Sequence, residues 1–163
     1  MSKPIVFIIM GVSGCGKSTI GKLLAFQINI PFFDGDDYHS QSNVEKMSKG
    51  NPLNDDDRKG WLQNLNELAK EHSKIGAVIA CSALKQKYRD QLSDGQSNMQ
   101  FVHLEGSKEE ILERMQERKN HFMPAELLDS QFETLERPID ALNVSIQEIP
   151  DSIVQKIKAH YNL

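Results

Sequence analysis

Only two cysteines, Cys15 and Cys81, occur in 163 residues. They are too few for a disulfide framework and lack the clustered spacing of a zinc site, so a reducing, cytoplasmic setting is expected. Positive charge is not in excess either: 19 Lys and Arg stand against 23 Asp and Glu, a net charge of -4. Without a basic field to hold a polyphosphate backbone, the sequence predicts no nucleic-acid partner. Long hydrophobic runs are also missing. The longest covers residues 5–10, far short of the roughly 20 residues that span a bilayer, so no membrane span is expected. Gly11 follows that run directly and no small-residue cleavage pattern appears, which reads against a secretory leader. Internal repeats, low-complexity tracts and Gly/Ser/Pro-rich linkers are absent too, leaving one domain as the expectation.

What the sequence does contain is an alternation of short β-rich runs and longer amphipathic stretches, the pattern of parallel strands joined by helical crossovers. Strands are predicted at residues 5–10, 31–34, 77–81, 99–104 and 141–146, and helices at 17–28, 41–49, 55–72, 84–92, 108–119, 124–135 and 150–160. The fold class is therefore α/β, a three-layer α/β/α arrangement on a five-stranded parallel sheet. Two stretches exceed what a crossover needs. Residues 35–76 read as a helical insertion for substrate, and the polar segment 118–128 reads as a lid.

Gly11, Val12, Ser13, Gly14, Cys15, Gly16, Lys17 and Ser18 fit the phosphate-loop pattern in full, between an apolar strand and a helix. The glycines let successive backbone N–H groups turn inward around phosphate oxygens. Lys17 supplies a cation toward the β- and γ-phosphates, Ser18 is a ligand for Mg2+, and the helix N-terminus adds partial positive charge. Thr19 is either a further phosphate contact or a helix-terminal hydrogen bond. Cys15 is either a thiol activated by the helix N-terminus or simply a small loop residue. ATP and Mg2+ are the cofactors expected.

A phosphate loop does not say what receives the phosphoryl group. An Asn-Lys-x-Asp guanine-reading motif is absent, which argues against a GTPase switch, and the third strand ends Ile79-Ala80-Cys81-Ser82, without the terminal acids of a motor ATPase. A small-molecule kinase remains. Such an enzyme aligns a hydroxyl with the γ-phosphate, removes its proton and excludes water. Asp34, Asp36 and Asp37 follow the second strand, at the sheet edge where such folds bind ligands; one carboxylate suits the Mg2+ shell and another the acceptor hydroxyl. Arg58, one turn into its helix, is either a two-pronged clamp for a substrate carboxylate or the partner of Asp55 or Asp57. Ser82, Lys85 and Arg89, taken as one helical face beside Tyr88, are candidates to read an anionic, hydroxyl-rich ligand, with solvated surface as the alternative. Arg114 and Arg118, with Lys119, His121 and Phe122 beyond, suggest a cationic lid over phosphates, or an i,i+4 network with Glu110, Glu113 and Glu117.

Over nearly its whole length the chain resembles the small gluconate kinases, relatives of nucleoside-monophosphate and shikimate kinases. The resemblance rests on the phosphate loop, on Asp34-Gly35-Asp36-Asp37-Tyr38-His39, on Lys46-Met47 through Pro52-Leu53-Asn54-Asp55 to Arg58, on Cys81-Ser82-Ala83-Leu84-Lys85 with Tyr88-Arg89-Asp90, and on His121-Phe122-Met123-Pro124 followed by Gln131-Phe132-Glu133-Thr134. It implies Mg2+-dependent transfer of the ATP γ-phosphoryl group to the 6-hydroxyl of D-gluconate, feeding the pentose phosphate or Entner–Doudoroff route. By analogy with shikimate kinases, Asp34 lies near Mg2+ and Asp36 is the catalytic base. By analogy with adenylate kinases, Arg114 packs on adenine and Arg118 contacts phosphate. His39, Arg58, Ser82, Lys85, Arg89 and His121 become candidate substrate contacts, and a homodimer is expected from the family.

Overall fold

The computed structural model of the chain describes residues 3–117 and 125–163. These form five parallel strands, β1 (Val6–Met10), β2 (Phe32–Asp34), β3 (Ala77–Ala80), β4 (Met99–Glu105) and β5 (Leu142–Ser145), in the order β2-β3-β1-β4-β5. Strand β1 is central, with Ile9 facing Ala80 on one side and Val102 on the other. Its five residues are all buried because helices cover both faces. Alternation splits them: Phe7 and Ile9 enter one core, Val6, Ile8 and Met10 the other.

The first core lies under α1 (Lys17–Ile28) and α7 (Pro150–His160), which contribute Ile20, Leu24, Ile153, Val154 and Ile157. The second lies under α3 (Asp55–Glu71) and α4 (Gln86–Ser93), through Trp61, Leu62, Leu65, Tyr88 and Leu92. The remaining helices are α2 (Gln41–Ser48), α5 (Lys108–Glu117) and α6 (Ala125–Thr134). Local chemistry sets several boundaries. Asn54 and Asp57 form a reciprocal capping box at the start of α3, with Asp55 and Asp56 completing an acidic first turn. Pro150 opens α7, and Asn29 in left-handed conformation closes α1.

The α/β/α architecture, the strand count and the parallel direction agree with the sequence reading, with ends shifted by one or two residues. Two features differ. Residues 35–76 do not form a single insertion: α3 is a full member of one covering layer, and only the 3-10 turn Gly35–Tyr38, α2 and the following loop stand beyond the sheet edge. Helix α4 starts at Gln86, not at 84, because Ala83 adopts φ 46° and Lys85 is the N-cap. Ser82 and Lys85 therefore precede the helix that was expected to align them with Arg89. Of the lid at 118–128, residues 118–124 lie outside the described residues.

The sheet order β2-β3-β1 places the C-terminal ends of these strands side by side, where open parallel sheets bind ligands. The turn after β2 is drawn tightly onto β3. A Cβ on Gly35 would lie 2.3 Å from the Ala80 carbonyl oxygen, and Trp61 Nε1 donates to the Gly35 carbonyl at 2.7 Å. Gly35→Ala is expected to push this turn off the strand and to lower stability by about 1–3 kcal/mol. Urea denaturation checks it; an unchanged midpoint would mean that the turn is not pinned there.

Candidate functional site

The loop after β1 has the backbone its composition calls for. Gly11, Gly14 and Gly16 take φ of 146°, 82° and 98°, values that L side chains avoid, and α1 begins immediately at Lys17. Lys17 Nζ donates to the Gly11 and Val12 carbonyls at 3.1 and 3.0 Å, so its charge is folded over the loop. Cys15 is buried, and its Sγ would be only 2.7 Å from a Cβ on Gly11. Burial pushes its thiol pKa up, against the opposing pull of Lys17. The activated-thiol reading is thus overturned in favour of a loop filler, and Cys81 is likewise buried and pushed up to about 12. Thr19 is exposed.

Asp34, at the end of β2, joins this loop to the acidic turn. Its Oδ2 accepts from Ser18 Oγ at 3.3 Å, and its Oδ1 accepts from the backbone N–H of Asp36 at 3.0 Å. A hydroxyl and a carboxylate of this kind are the hard oxygen donors Mg2+ takes, alongside phosphate oxygens and water. The donor set therefore fits the expected ion, with Ser18 and Asp34 as its protein side.

Beside the loop lies a cavity of about 460 Å³. Lys17, Asp36, His39, Arg58 and Ser82 all line it, so the structure brings these five sequence-derived residues together. Asp36 opens into it, its side chain 83% exposed. The protein mass around the cavity nevertheless pushes its pKa up, with Asp34 and Asp37 adding to the shift and Lys17 opposing it. Water reaches the carboxylate while the cavity is open, so the full rise belongs to the filled cavity. His39 is stacked on Trp61, ring centroids 4.1 Å apart at 18°. Burial, reinforced by Arg58, lowers its pKa to about 4.

Arg58 is held from behind. Its Nη1 donates to the Leu53 carbonyl at 2.6 Å and to Tyr88 Oη at 3.0 Å. Tyr88 in turn donates to Asp55, which also accepts from Lys85 at 3.2 Å and from Lys87. These bonds hold the Asp55 carboxyl well below the usual range. Asp57 closes the capping box and pairs with Lys46 at 2.7 Å. Both acids are committed elsewhere, so the ion-pair alternative for Arg58 fails and its guanidinium faces the cavity.

Two candidates are not brought into the cavity. Lys85 is turned to Asp55. Arg89 is buried, 3% exposed, and bonds the Ala83 and Glu136 carbonyls at 2.7 and 2.8 Å; it welds the start of α4 to the segment before β5. Arg114 does not pair with its neighbouring glutamates but donates to the Ile146 carbonyl, and its Nη1 lies 3.8 Å from where a Gly16 Cβ would be. It therefore flanks the phosphate loop. Arg118, Lys119, His121 and Phe122 lie outside the described residues.

Sequence reasoning places Gln131 and Thr134 within a family motif but assigns α6 no role at the site. Leu127, Ser130, Gln131 and Thr134 line the cavity, and Gln131 Oε1 accepts from the Ser13 backbone N–H at 2.6 Å. Their i, i+3, i+4, i+7 spacing marks a helical face, but nothing local shows that the face meets a loop 118 residues away. Trp61 also lines the cavity, and sequence reasoning assigns it no role there.

A phosphate loop after the central strand of a parallel sheet, a hydroxyl–carboxylate pair for a divalent ion and an adjoining polar cavity define a small P-loop phosphotransferase. The shikimate kinase family profile matches residues 13–159. The chain is 43% identical over 155 residues to the thermoresistant gluconokinase of Escherichia coli K12, covering 91% of this chain and 89% of that one. It is 43% identical over 164 residues to the gluconokinase of Gluconobacter oxydans, covering 98% and 92%. A crystal structure of a gluconokinase from Sinorhizobium meliloti superposes with TM-score 0.90 at 40% identity, covering 99% of this chain and 94% of that one. The chain belongs to the gluconokinase family, within the wider shikimate kinase group, and is an ATP-dependent carbohydrate kinase.

The placement of Arg89 yields a test. Arg89→Met is expected to lower stability by about 1–3 kcal/mol, since it leaves the buried Ala83 carbonyl without its donor and removes the bond to the Glu136 carbonyl, while KM for the sugar acid stays within about twofold of wild type. A large rise in KM at unchanged stability would return Arg89 to the substrate site.

Proposed function

We propose that the chain transfers the γ-phosphoryl group of ATP to the 6-hydroxyl of D-gluconate, giving 6-phospho-D-gluconate and ADP. The observation that carries this reading is the cavity itself: the phosphate-loop lysine, a carboxylate with a raised pKa and a restrained guanidinium all face one space of about 460 Å³. That size falls within the about 300–1,000 Å³ of small-molecule sites. An open-chain sugar acid supplies the matching groups: a carboxylate for Arg58 and hydroxyls for Asp36, His39 and Ser82.

The chemistry follows from these positions. Asp36 accepts the proton of the 6-hydroxyl as its oxygen forms a bond to the γ-phosphorus, and the bond from phosphorus to the β,γ-bridging oxygen breaks to release ADP. Lys17 and the inward loop N–H groups stabilise the charge on the phosphoryl oxygens. Ser18 and Asp34 would hold Mg2+, which would supply positive charge to offset that of the phosphates. Arg58 fixes the far end of the acceptor, and its brace through Tyr88 and Asp55 limits its freedom before substrate arrives. Gly11, Val12, Ser13, Gly14, Cys15 and Gly16 form the phosphate cradle, with Ser18 and Thr19 opening α1 beneath it. Arg114 borders the place where adenine packs, and Arg118 and His121 are assigned to the lid over the phosphates. Lys85 acts on substrate only through its bond to Asp55.

We further infer a homodimer, on family resemblance, and a cytoplasmic location, on the two free, buried cysteines. No helix among the described residues is long and apolar enough to cross a membrane. The product would enter the pentose phosphate or Entner–Doudoroff route.

Asp36→Asn is expected to lower gluconate-dependent ADP release by at least about 100-fold while leaving ATP binding within a few-fold; near-wild-type turnover would remove Asp36 from the mechanism. The base must be ionised, and filling the cavity shields its carboxylate from water and raises its pKa. Activity should therefore be lost as pH falls through a value above the ordinary carboxylate range, and a pH–rate profile with no such limb would contradict the assignment. Lys17→Ala should cost about 100- to 1,000-fold in kcat, measured in the same assay.

A further inference from the structure

Three elements converge on the imidazole of His39: the 3-10 turn with Asp36, α2 with Asn43 and α3 with Arg58, Asp57 and Trp61. The side chain is 3% exposed. Its flat contact with Trp61 and the bond from Trp61 Nε1 to the Gly35 carbonyl fix the plane of the ring. Asn43, itself 5% exposed, lies between the ring and the first turn of α3.

The orientation of the Asn43 amide follows from its partners. One atom of it lies 2.8 Å from the Asp57 carbonyl oxygen, which only accepts, so that atom is the nitrogen. The same Nδ2 lies 3.3 Å from His39 Nδ1 and has a second hydrogen to give. His39 Nδ1 is then the acceptor, and in a neutral ring the proton resides on Nε2. An imidazolium would set Nδ1–H against the amide N–H and place a second cation beside Arg58.

His39 Nε2 lies 4.0 Å from Asp36 Oδ1, too far for a direct hydrogen bond. An oxygen at about 2.8 Å from both atoms is easily accommodated, subtending an angle of about 90° there. An alcohol placed so gives its proton toward Asp36 and receives one hydrogen bond from His39, which leaves its remaining lone pair for phosphorus.

We infer that Asn43 locks His39 as the Nε2–H tautomer and that this N–H, with Asp36 Oδ1, forms a two-point seat for the hydroxyl oxygen that receives the phosphoryl group. His39 is thus a hydrogen-bond donor to that oxygen and not a second base, and Asn43 is a positioning residue. The inference rests on the proposed role of Asp36, but the tautomer can be read without substrate.

The test is long-range 1H–15N NMR of the full chain at neutral pH, with His39 assigned through bonds. A proton on Nε2 alone is expected; Nδ1–H, or a doubly protonated ring, would overturn the inference. Asn43→Asp offers an acceptor to Nδ1. It should move the proton to Nδ1 in the same spectrum and lower kcat about tenfold or more, with KM for ATP changed less than about twofold; an unmoved proton would contradict the lock. If that variant does not fold, His39→Gln, which keeps an N–H donor, should retain kcat within about tenfold, while His39→Leu should lose about 100-fold. Equal losses would refute the donor role. Nε2–H without gluconate turnover in the wild type would refute the proposed reaction and leave the lock standing, whereas turnover with Nδ1–H would refute the lock alone.

Discussion

The carboxylate of Asp34 ties the phosphate loop to the acidic turn after β2, with one oxygen on Ser18 and the other on the backbone N–H of Asp36. Its position is set by the sheet. Asp34 pairs with Ala80 on β3, and Ala80 pairs with Ile9 on β1, one residue before the strand ends at Met10. The register of three paired strands therefore fixes the distance between the phosphate loop and the turn that carries Asp36, the proposed base. Phosphoryl transfer is largely positioning and electrostatics, so this coupling is the constraint on which the other contacts depend. A slip of one residue in β2 would send Asp34 to the opposite face.

The acceptor side is organised by a different device. Asp55, anchored by two lysines and Tyr88, does not approach the cavity but fixes the tyrosine that holds Arg58. Trp61 does the same for the acidic turn and for His39. Helix α3 thus supplies the floor and the cation from one element whose apolar face is buried against β1 and β3, and α4 completes the brace through Tyr88. Such a site is preorganised by its supporting side chains before any ligand enters.

Much of this was legible in the sequence because the signals are local. A continuously apolar run followed by the glycine-lysine-serine loop identifies β1, α1 and the phosphate cradle, and acids after a strand mark the sheet edge. Arg58 was ambiguous because Asp55 and Asp57 both stand within three residues of it; only tertiary structure shows them engaged with Lys85, Lys87, Tyr88 and Lys46. Arg89 was misjudged because helical periodicity was extended through Ala83, whose left-handed backbone breaks it. Gln131 and Asn43 were out of reach, since the contact of each with its partner arises from packing between elements.

The central claim is that one cavity aligns a sugar-acid hydroxyl with a nucleotide held by the loop. It is tested most directly by 31P NMR of the products formed from Mg-ATP with D-gluconate, shikimate or AMP as the offered acceptor. The account predicts a phosphate monoester on the terminal carbon of gluconate, formed far faster than any product from the other two. Preferential phosphorylation of shikimate or AMP, or ATP hydrolysis to ADP and inorganic phosphate regardless of acceptor, would contradict it.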